Sequence, residues 1–367
     1  MEDKQIVNNL NALIRPEIRE MQAYHVPNAT GLVKLDAMEN PYSWPISMKN
    51  DWLEIMKETE INRYPDPAAS ELKKQIRLTF QIEEDLGLIL GNGSDELIQL
   101  MLMALSSDST VMAPMPSFVM YQHLSKSLGL SFKGIPLNAD FSLDMPAMLS
   151  FIKDNNPAII FLAYPNNPTA NLFNEADVLS IIRASKGLVV VDEAYQPFAG
   201  KSLLKEVAHY ANLMVMRTVS KLGLAGLRLG YLVGNETLIN EFEKIRLPYN
   251  INVLTQLTAG FAFNNINVLD QQAQLICQQR DEMLLSLQAL SGVRVFPSQA
   301  NFILFSLSHA KAADVFEQLK NAGVLIKKLG AVTGLPAECL RVTIGSEDQN
   351  KSFLDALTKI LNFAAPL

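Results

Sequence analysis

The run Leu188-Val-Val-Val191 is unbroken and mostly β-branched, and it stops at Asp192. A strand with no polar alternation is covered on both faces, as in a parallel sheet, since an antiparallel strand usually keeps one face wet. The pattern recurs in Pro157-Ala-Ile-Ile-Phe-Leu-Ala163, which leads into Tyr164-Pro-Asn-Asn-Pro-Thr-Ala170. It recurs again in Asn212-Leu-Met-Val-Met-Arg-Thr218, followed by Ser220-Lys221. Between such runs lie segments of helical length. The spacing predicts strands at 110–113 and 132–136, with helices at 118–128, 145–155 and 175–185. Alternation of this kind implies an α/β fold with a mostly parallel, doubly wound sheet. Such sheets bind ligands at the carboxyl ends of their strands.

The residues at those ends carry chemistry. Lys221 closes a buried strand, where scarce water disfavours its ammonium, so it can act as an amine nucleophile towards an aldehyde. Arg228, seven residues on, offers a planar fork suited to a phosphate. A lysine with a phosphate clamp is what pyridoxal phosphate requires. Most strand-end lysines simply snorkel to solvent, and the neighbouring segments decide against that reading. Asp192 is a carboxylate that burial obliges to find a partner. A protonated pyridine nitrogen is a suitable one, and the pair keeps the ring cationic as an electron sink. Asp192-Glu-Ala-Tyr195 taken alone would equally suit a turn or a metal ligand. Tyr195 and an asparagine of the Pro165-Asn-Asn-Pro168 turn can both reach the ring's 3-oxygen, although an Asn-Pro turn is common. A fourth segment, Leu86-Gly-Leu-Ile-Leu-Gly-Asn-Gly-Ser-Asp-Glu-Leu97, reads as strand, glycine turn and helix. Its helix start, at Ser94 and Asp95, favours an anion.

These four segments, in this order, resemble the fold-type I pyridoxal-phosphate aminotransferases. Within them the likeness is greatest to the subgroup that acts on histidinol phosphate. It rests on Lys34-Leu-Asp-Ala-Met-Glu-Asn-Pro-Tyr42, Asn62-Arg-Tyr-Pro-Asp-Pro67, Gly91-Asn-Gly-Ser-Asp-Glu96, Ser220-Lys-Leu-Gly-Leu-Ala-Gly-Leu-Arg-Leu-Gly-Tyr231 and Leu340-Arg-Val-Thr-Ile-Gly345. The resemblance implies that Lys221 bonds the cofactor aldehyde and later moves the proton. It pairs Asp192 with the pyridine nitrogen and sets Tyr195 and Asn167 on the 3-oxygen. Gly93, Ser94, Asp95, Ser220 and Arg228 then form the phosphate cradle, and Phe118 stacks on the ring. Tyr64 is expected to reach the cofactor phosphate of a partner subunit, which makes the protein a homodimer. Arg341 takes the substrate's anionic group, with Tyr24 and Asn40 closing the pocket. The implied substrates are histidinol phosphate and glutamate with 2-oxoglutarate, in histidine biosynthesis.

Three positions depart from the family pattern. Ala170 stands where glycine is usual, which is harmless if its φ is negative. Met38 stands where Asn is frequent. Lys327 replaces a second substrate arginine, keeping charge but losing the bidentate fork.

Composition sets the outer bounds. A chain of 367 residues, 49% hydrophobic, can fill a large core and two domains. The expected organisation is an arm at 1–30, a large cofactor-binding domain at 31–265 and a smaller α+β domain at 266–367. In that smaller domain, strands are expected at 301–305, 324–327 and 340–344, with helices at 270–290 and 352–363. A net charge of −7 argues against nucleic-acid partners. No apolar run approaches the roughly 20 residues that span a bilayer, and the N-terminus lacks a secretory pattern. Cys277 and Cys339 suit a reducing compartment, and no ligand spacing suggests a metal. A cytoplasmic enzyme is therefore expected. Its rivals are an aromatic amino-acid aminotransferase, a threonine-phosphate decarboxylase relative and a non-catalytic ligand sensor. Asn40-Pro41-Tyr42-Ser43 counts against the decarboxylase, whose relatives usually carry an Asn-Pro-Leu-Gly type motif there.

Overall fold

A computed structural model describes residues 12–23, 26–329 and 332–364. Its first strand, β1 (Val33–Lys34), is short. Seven more form the main sheet: β2 (Leu86–Gly91), β3 (Thr110–Met115), β4 (Ser131–Pro136), β5 (Ile159–Ala163), β6 (Leu188–Asp192), β7 (Leu213–Thr218) and β8 (Gly230–Asn235). Their order across the sheet is β2-β8-β7-β6-β5-β3-β4, and only β8 runs antiparallel to its neighbours. This is the mostly parallel, helix-flanked sheet of an α/β fold.

The unbroken apolar runs are buried on both faces. Alternate residues feed two separate cores: Leu88, Ile160, Leu162, Val189, Val191 and Val215 pack on one side. Ile89, Ile159, Phe161, Val190, Met214 and Met216 pack on the other. Each such side chain contributes roughly 1.5–3 kcal/mol of transfer free energy, so the central strands are the most strongly fixed part of the molecule. The helices between them start where local chemistry dictates. Asp144 caps Met145–Asn155 by accepting from the Ala147 N–H, with proline in the first turn. Asn174 caps Glu175–Ala184 in the same way.

A second core lies against β9 (Val293–Val295), β10 (Phe302–Leu307), β12 (Lys327–Lys328) and β13 (Cys339–Thr343), which form an antiparallel sheet in the order β12-β13-β10-β9. The helix Ile266–Gln288 leads into it, burying Leu269, Ala273, Ile276, Met283 and Leu287 at helical spacing. The strand expected at 324–327 is split at Ile326. β11 (Val324–Leu325) pairs in parallel with β1, while Lys327 and Lys328 pair with β13. An apolar run of this length shows no break in the sequence, because the change of partner is made by tertiary pairing. Residues 33–38 accordingly sit with the second core, to which Leu35 and Met38 contribute.

Candidate active site

The carboxyl ends of β5, β6 and β7 open onto one cleft. Met38, Ser94, Asp95, Phe118, Asn167, Asp192, Tyr195, Ser220, Lys221 and Arg228 line it together. Residues scattered over nearly two hundred positions of sequence thus converge because parallel strands deliver their C-terminal loops to one edge.

Lys221 sits in a tight turn, Ser220–Leu224, that leaves β7. Gly223 has φ 117°, and a Cβ there would lie 2.8 Å from Asn40 Nδ2, so only glycine fits against Asn40. Lys221 Nζ donates to the Ala37 carbonyl at 3.1 Å. Removal from water, and then the nearby Arg341 and Arg228, bring its ammonium down to about 8. A useful fraction is neutral, nucleophilic amine near neutral pH.

Asp192 is 4% exposed. Its Oδ2 accepts from the Tyr121 hydroxyl at 2.6 Å and its Oδ1 from the Ala194 N–H at 3.1 Å. Burial raises its carboxyl to about 6, against the pull of those two donors. No salt bridge reaches it among the described residues. A buried carboxylate with donors but no cation is ready to receive one.

On the other wall, Asn167 Nδ2 donates to the Tyr195 hydroxyl at 3.0 Å. Arg341 Nη1 donates to Asn167 Oδ1 at 2.6 Å and Nη2 to the Asp36 carbonyl at 3.0 Å. Lys327 lies directly across from Arg341 in the β12–β13 pairing. Cross-strand partners project to the same face of the sheet.

The helix Ser94–Met103 begins at the cleft. Gly93 holds φ +80°, and a Cβ there would come within 2.7 Å of Arg228 Nη2. Arg228 Nη1 donates to Ser220 Oγ at 3.4 Å, while Nη2 stands 3.7 Å from Asp95 Oδ2. Asp95 Oδ1 is buried with no hydrogen-bond partner, and burial raises its carboxyl above the usual range. Phe118 packs edge-on to Tyr121 at the cleft wall, with 5.5 Å between ring centroids.

Other expected residues lie apart from this group. Asn40 donates to Gln272 Oε1 at 2.9 Å and the Leu222 carbonyl at 3.3 Å, so it buttresses the lysine turn from behind. Tyr64 is 81% exposed and stacks on Tyr249 at 4.5 Å, outside the cleft of its own chain. Tyr24 lies outside the described residues. The expectation for Ala170 needs correction, because its φ is +63°. Met38 is also left-handed, at φ +53°. The two departures from the family pattern therefore occupy positions where a Cβ is strained, and tertiary bonds hold both. The Gln299 N–H donates to the Ala170 carbonyl at 2.7 Å, and Asn301 Nδ2 donates to the Met38 carbonyl at 3.0 Å.

The sequence reading missed Tyr121, the Ala37 carbonyl that meets Lys221, and Thr218. Tyr121 falls three positions beyond Phe118, on the same face of a helix, and that spacing was the available signal. No group of His, Cys, Asp or Glu arranged to hold a metal occurs among the described residues. No described helix is long and apolar enough to cross a membrane.

A doubly wound sheet with a lysine, a carboxylate and an anion cradle at its strand ends is the arrangement of a pyridoxal-phosphate enzyme. The chain belongs to the class I and II aminotransferases, whose family model matches residues 30–357. It is 52% identical over 345 residues to "Histidinol-phosphate aminotransferase 2" of Nitrosococcus oceani, covering 94% of this chain and 96% of that one. It is 47% identical over 358 residues to "Histidinol-phosphate aminotransferase 1" of Ralstonia nicotianae, covering 96% and 95%. The crystal structure of the histidinol-phosphate aminotransferase from Clostridium acetobutylicum superposes with a TM-score of 0.84 at 26% identity, over 90% of this chain and 100% of that one.

The cofactor of this family is pyridoxal phosphate, and the residues present fit it. A buried carboxylate without a cation suits a ring nitrogen, an amine of lowered pKa suits an aldehyde, and the side-chain-free Gly93 turn beside Arg228 suits a phosphate.

Proposed function

We propose that the chain exchanges an amino group between L-histidinol phosphate and 2-oxoglutarate, giving imidazole-acetol phosphate and L-glutamate, in histidine biosynthesis. The observation that carries this reading is the pairing of Arg341, buried and joined through Asn167 to Tyr195, with Lys327 across the strand. A guanidinium accepts either a carboxylate or a phosphate in bidentate fashion. A neighbouring ammonium adds charge for a phosphate dianion. The names of the relatives at 52% and 47% identity support the same substrate.

When bound, pyridoxal phosphate supplies an aldehyde for the amino group and a cationic ring that draws electrons from the substrate carbon. Lys221, whose amine is partly neutral near neutral pH, would hold the cofactor at its aldehyde carbon and would carry the proton at the substrate carbon. The Asp192 carboxylate would pair with the ring nitrogen and favour its protonated form. Tyr195 and Asn167, already hydrogen-bonded to each other, would hold the 3-oxygen, and Phe118 at the cleft wall would pack on the ring. Arg228, Ser220 and the free N–H groups of Ser94 and Asp95 bind the phosphate, aided by the helix dipole. Arg341 and Lys327 bind the substrate's anionic group, while Asn40 supports the lysine turn from behind.

The same proposal makes the protein a homodimer. Leu53 and Leu254 are exposed on two helices that pack together, and Ile61, Tyr64 and Leu247 are exposed apolar residues as well. Solvent-exposed apolar residues gathered in this way suit a second copy, whose cofactor phosphate Tyr64 would then meet. A cytoplasmic location is supported by the free thiols Cys277 and Cys339.

An absorbance titration tests the reaction. The band of the bound cofactor is expected to give way to a pyridoxamine band at low histidinol phosphate. A response to phenylalanine alone would move the enzyme to aromatic amino acids. Mixing Tyr64→Ala and Lys221→Ala subunits tests the shared site. Recovered activity supports it, and no recovery argues against it.

A further inference from the structure

Tyr121 has no solvent exposure and lies on the helix Val119–Ser127, behind the cleft rather than in it. Its ring stacks face to face on Phe161 of β5, with centroids 4.7 Å apart and planes 7° from parallel. That contact fixes the ring, so its hydroxyl can point only one way. It points at Asp192, whose Oδ2 accepts at 2.6 Å. The same ring meets Phe118 edge-on. One buried side chain therefore touches both the carboxylate at the end of β6 and the aromatic at the cleft wall.

Each carboxylate oxygen can accept two hydrogen bonds. The Tyr121 hydroxyl takes one position on Oδ2, and the Ala194 N–H takes one on Oδ1. With both oxygens tethered from the protein side, rotation of the carboxylate plane is blocked, and each oxygen keeps one acceptor position. Charge-assisted bonds of this length are about twice as strong as neutral ones. Neither bond brings a positive charge, so the negative charge of Asp192 is oriented without being cancelled.

We propose that Tyr121 is a positioning residue that fixes the Asp192 carboxylate for a protonated ring nitrogen while holding Phe118 against the ring face. The proposal rests on the reading of Asp192 as the ring-nitrogen partner. Its direction agrees with the balance at Asp192, where burial raises the carboxyl and the Tyr121 hydroxyl is the largest opposing influence.

The test compares two cofactors on the cofactor-free protein: pyridoxal phosphate, and its 1-deaza analogue, in which a C–H replaces the ring nitrogen. The ratio of their dissociation constants reads the Asp192 contact alone. In the wild type, pyridoxal phosphate is expected to bind more tightly. Tyr121→Phe keeps both ring contacts and removes only the hydroxyl, and the expected result is a ratio lowered roughly ten-fold, a fraction of one hydrogen bond to a charged group. Phe161→Leu removes the stack that aims the hydroxyl, and is expected to lower the ratio as well, by less than Tyr121→Phe does. In an Asp192→Asn background, Tyr121→Phe is expected to have no further effect on the ratio. Equal loss for both cofactors in Tyr121→Phe, or a persisting effect in the Asp192→Asn background, would overturn the proposal. A wild type that does not distinguish the two cofactors would overturn the reading of Asp192 as well.

Discussion

Asp192 and Glu193 are neighbours at the end of one strand, both buried, and they are treated in opposite ways. Glu193 Oε2 accepts from Arg217 Nε at 2.9 Å and Ser202 Oγ at 2.8 Å, and its Oε1 accepts from the Leu203 N–H. Arg217 in turn donates to Ser202 and lies over the Phe80 ring. Every charge in that group has its complement within the chain. Asp192, facing the other side of the sheet edge, receives two neutral donors and no cation. A buried carboxylate is costly unless paired. The fold therefore closes the account at Glu193 and leaves it open at Asp192. The first arrangement holds structure, and the second is completed by what binds.

The contrast can be broken most sharply at the cleft. Lys221→Ala is expected to lower turnover by roughly 10³-fold or more, measured as single-turnover loss of the cofactor band, with little change in the melting temperature. Asp192→Asn is expected to reduce kcat on the order of 10²-fold without loss of stability, since it removes an uncompensated charge. Glu193→Ala should do the reverse. It strands Arg217 in the interior at a cost of about 3–5 kcal/mol, read from the urea midpoint. Comparable stability losses in Asp192→Asn and Glu193→Ala would erase the distinction.

A pH series sharpens it further. In the unfolded chain an aspartate ionises near pH 4, whereas Asp192 in the folded, cofactor-free protein ionises near 6. The unfolded state releases its proton first, so this group costs nothing below pH 4 and disfavours folding increasingly between pH 4 and 6. Cofactor-free wild type should lose up to about 3 kcal/mol over that window relative to Asp192→Asn. Parallel stability curves would remove the case for an open charge. The smallest expected effect is at Ala170. Relief of its left-handed backbone by Ala170→Gly should stabilise the protein by about 1 kcal/mol, seen as a modest rise in melting temperature.

The chemistry of the cleft was legible because its residues lie at, or a few positions beyond, the ends of the central strands. Asp192 and Lys221 are marked by the apolar runs before them. What stayed hidden depends on partners distant in sequence. The left-handed turn at Ala170 is held in part by the distant Gln299, whose N–H donates to its carbonyl. The break at Ile326 follows from two different strands competing for one run. Tyr121 reads as an ordinary helix residue until β5 and β6 are placed beneath it. The contrast between Asp192 and Glu193 is equally invisible in Asp-Glu-Ala-Tyr, since it depends on which side of the edge each carboxylate leaves.

The pairing of β1 with β11 sets an order of events as the chain is made. Val33 and Lys34 emerge long before their partners Val324 and Leu325. The carbonyls of Asp36 and Ala37, which meet Arg341 and Lys221, hang on that pairing. Domains generally fold from the N-terminal end during synthesis, so the main sheet can close while this short segment still waits. Assembly of the complete site is then a late event in biogenesis, and a nascent chain stalled before β11 would present a formed sheet whose lysine has no lid.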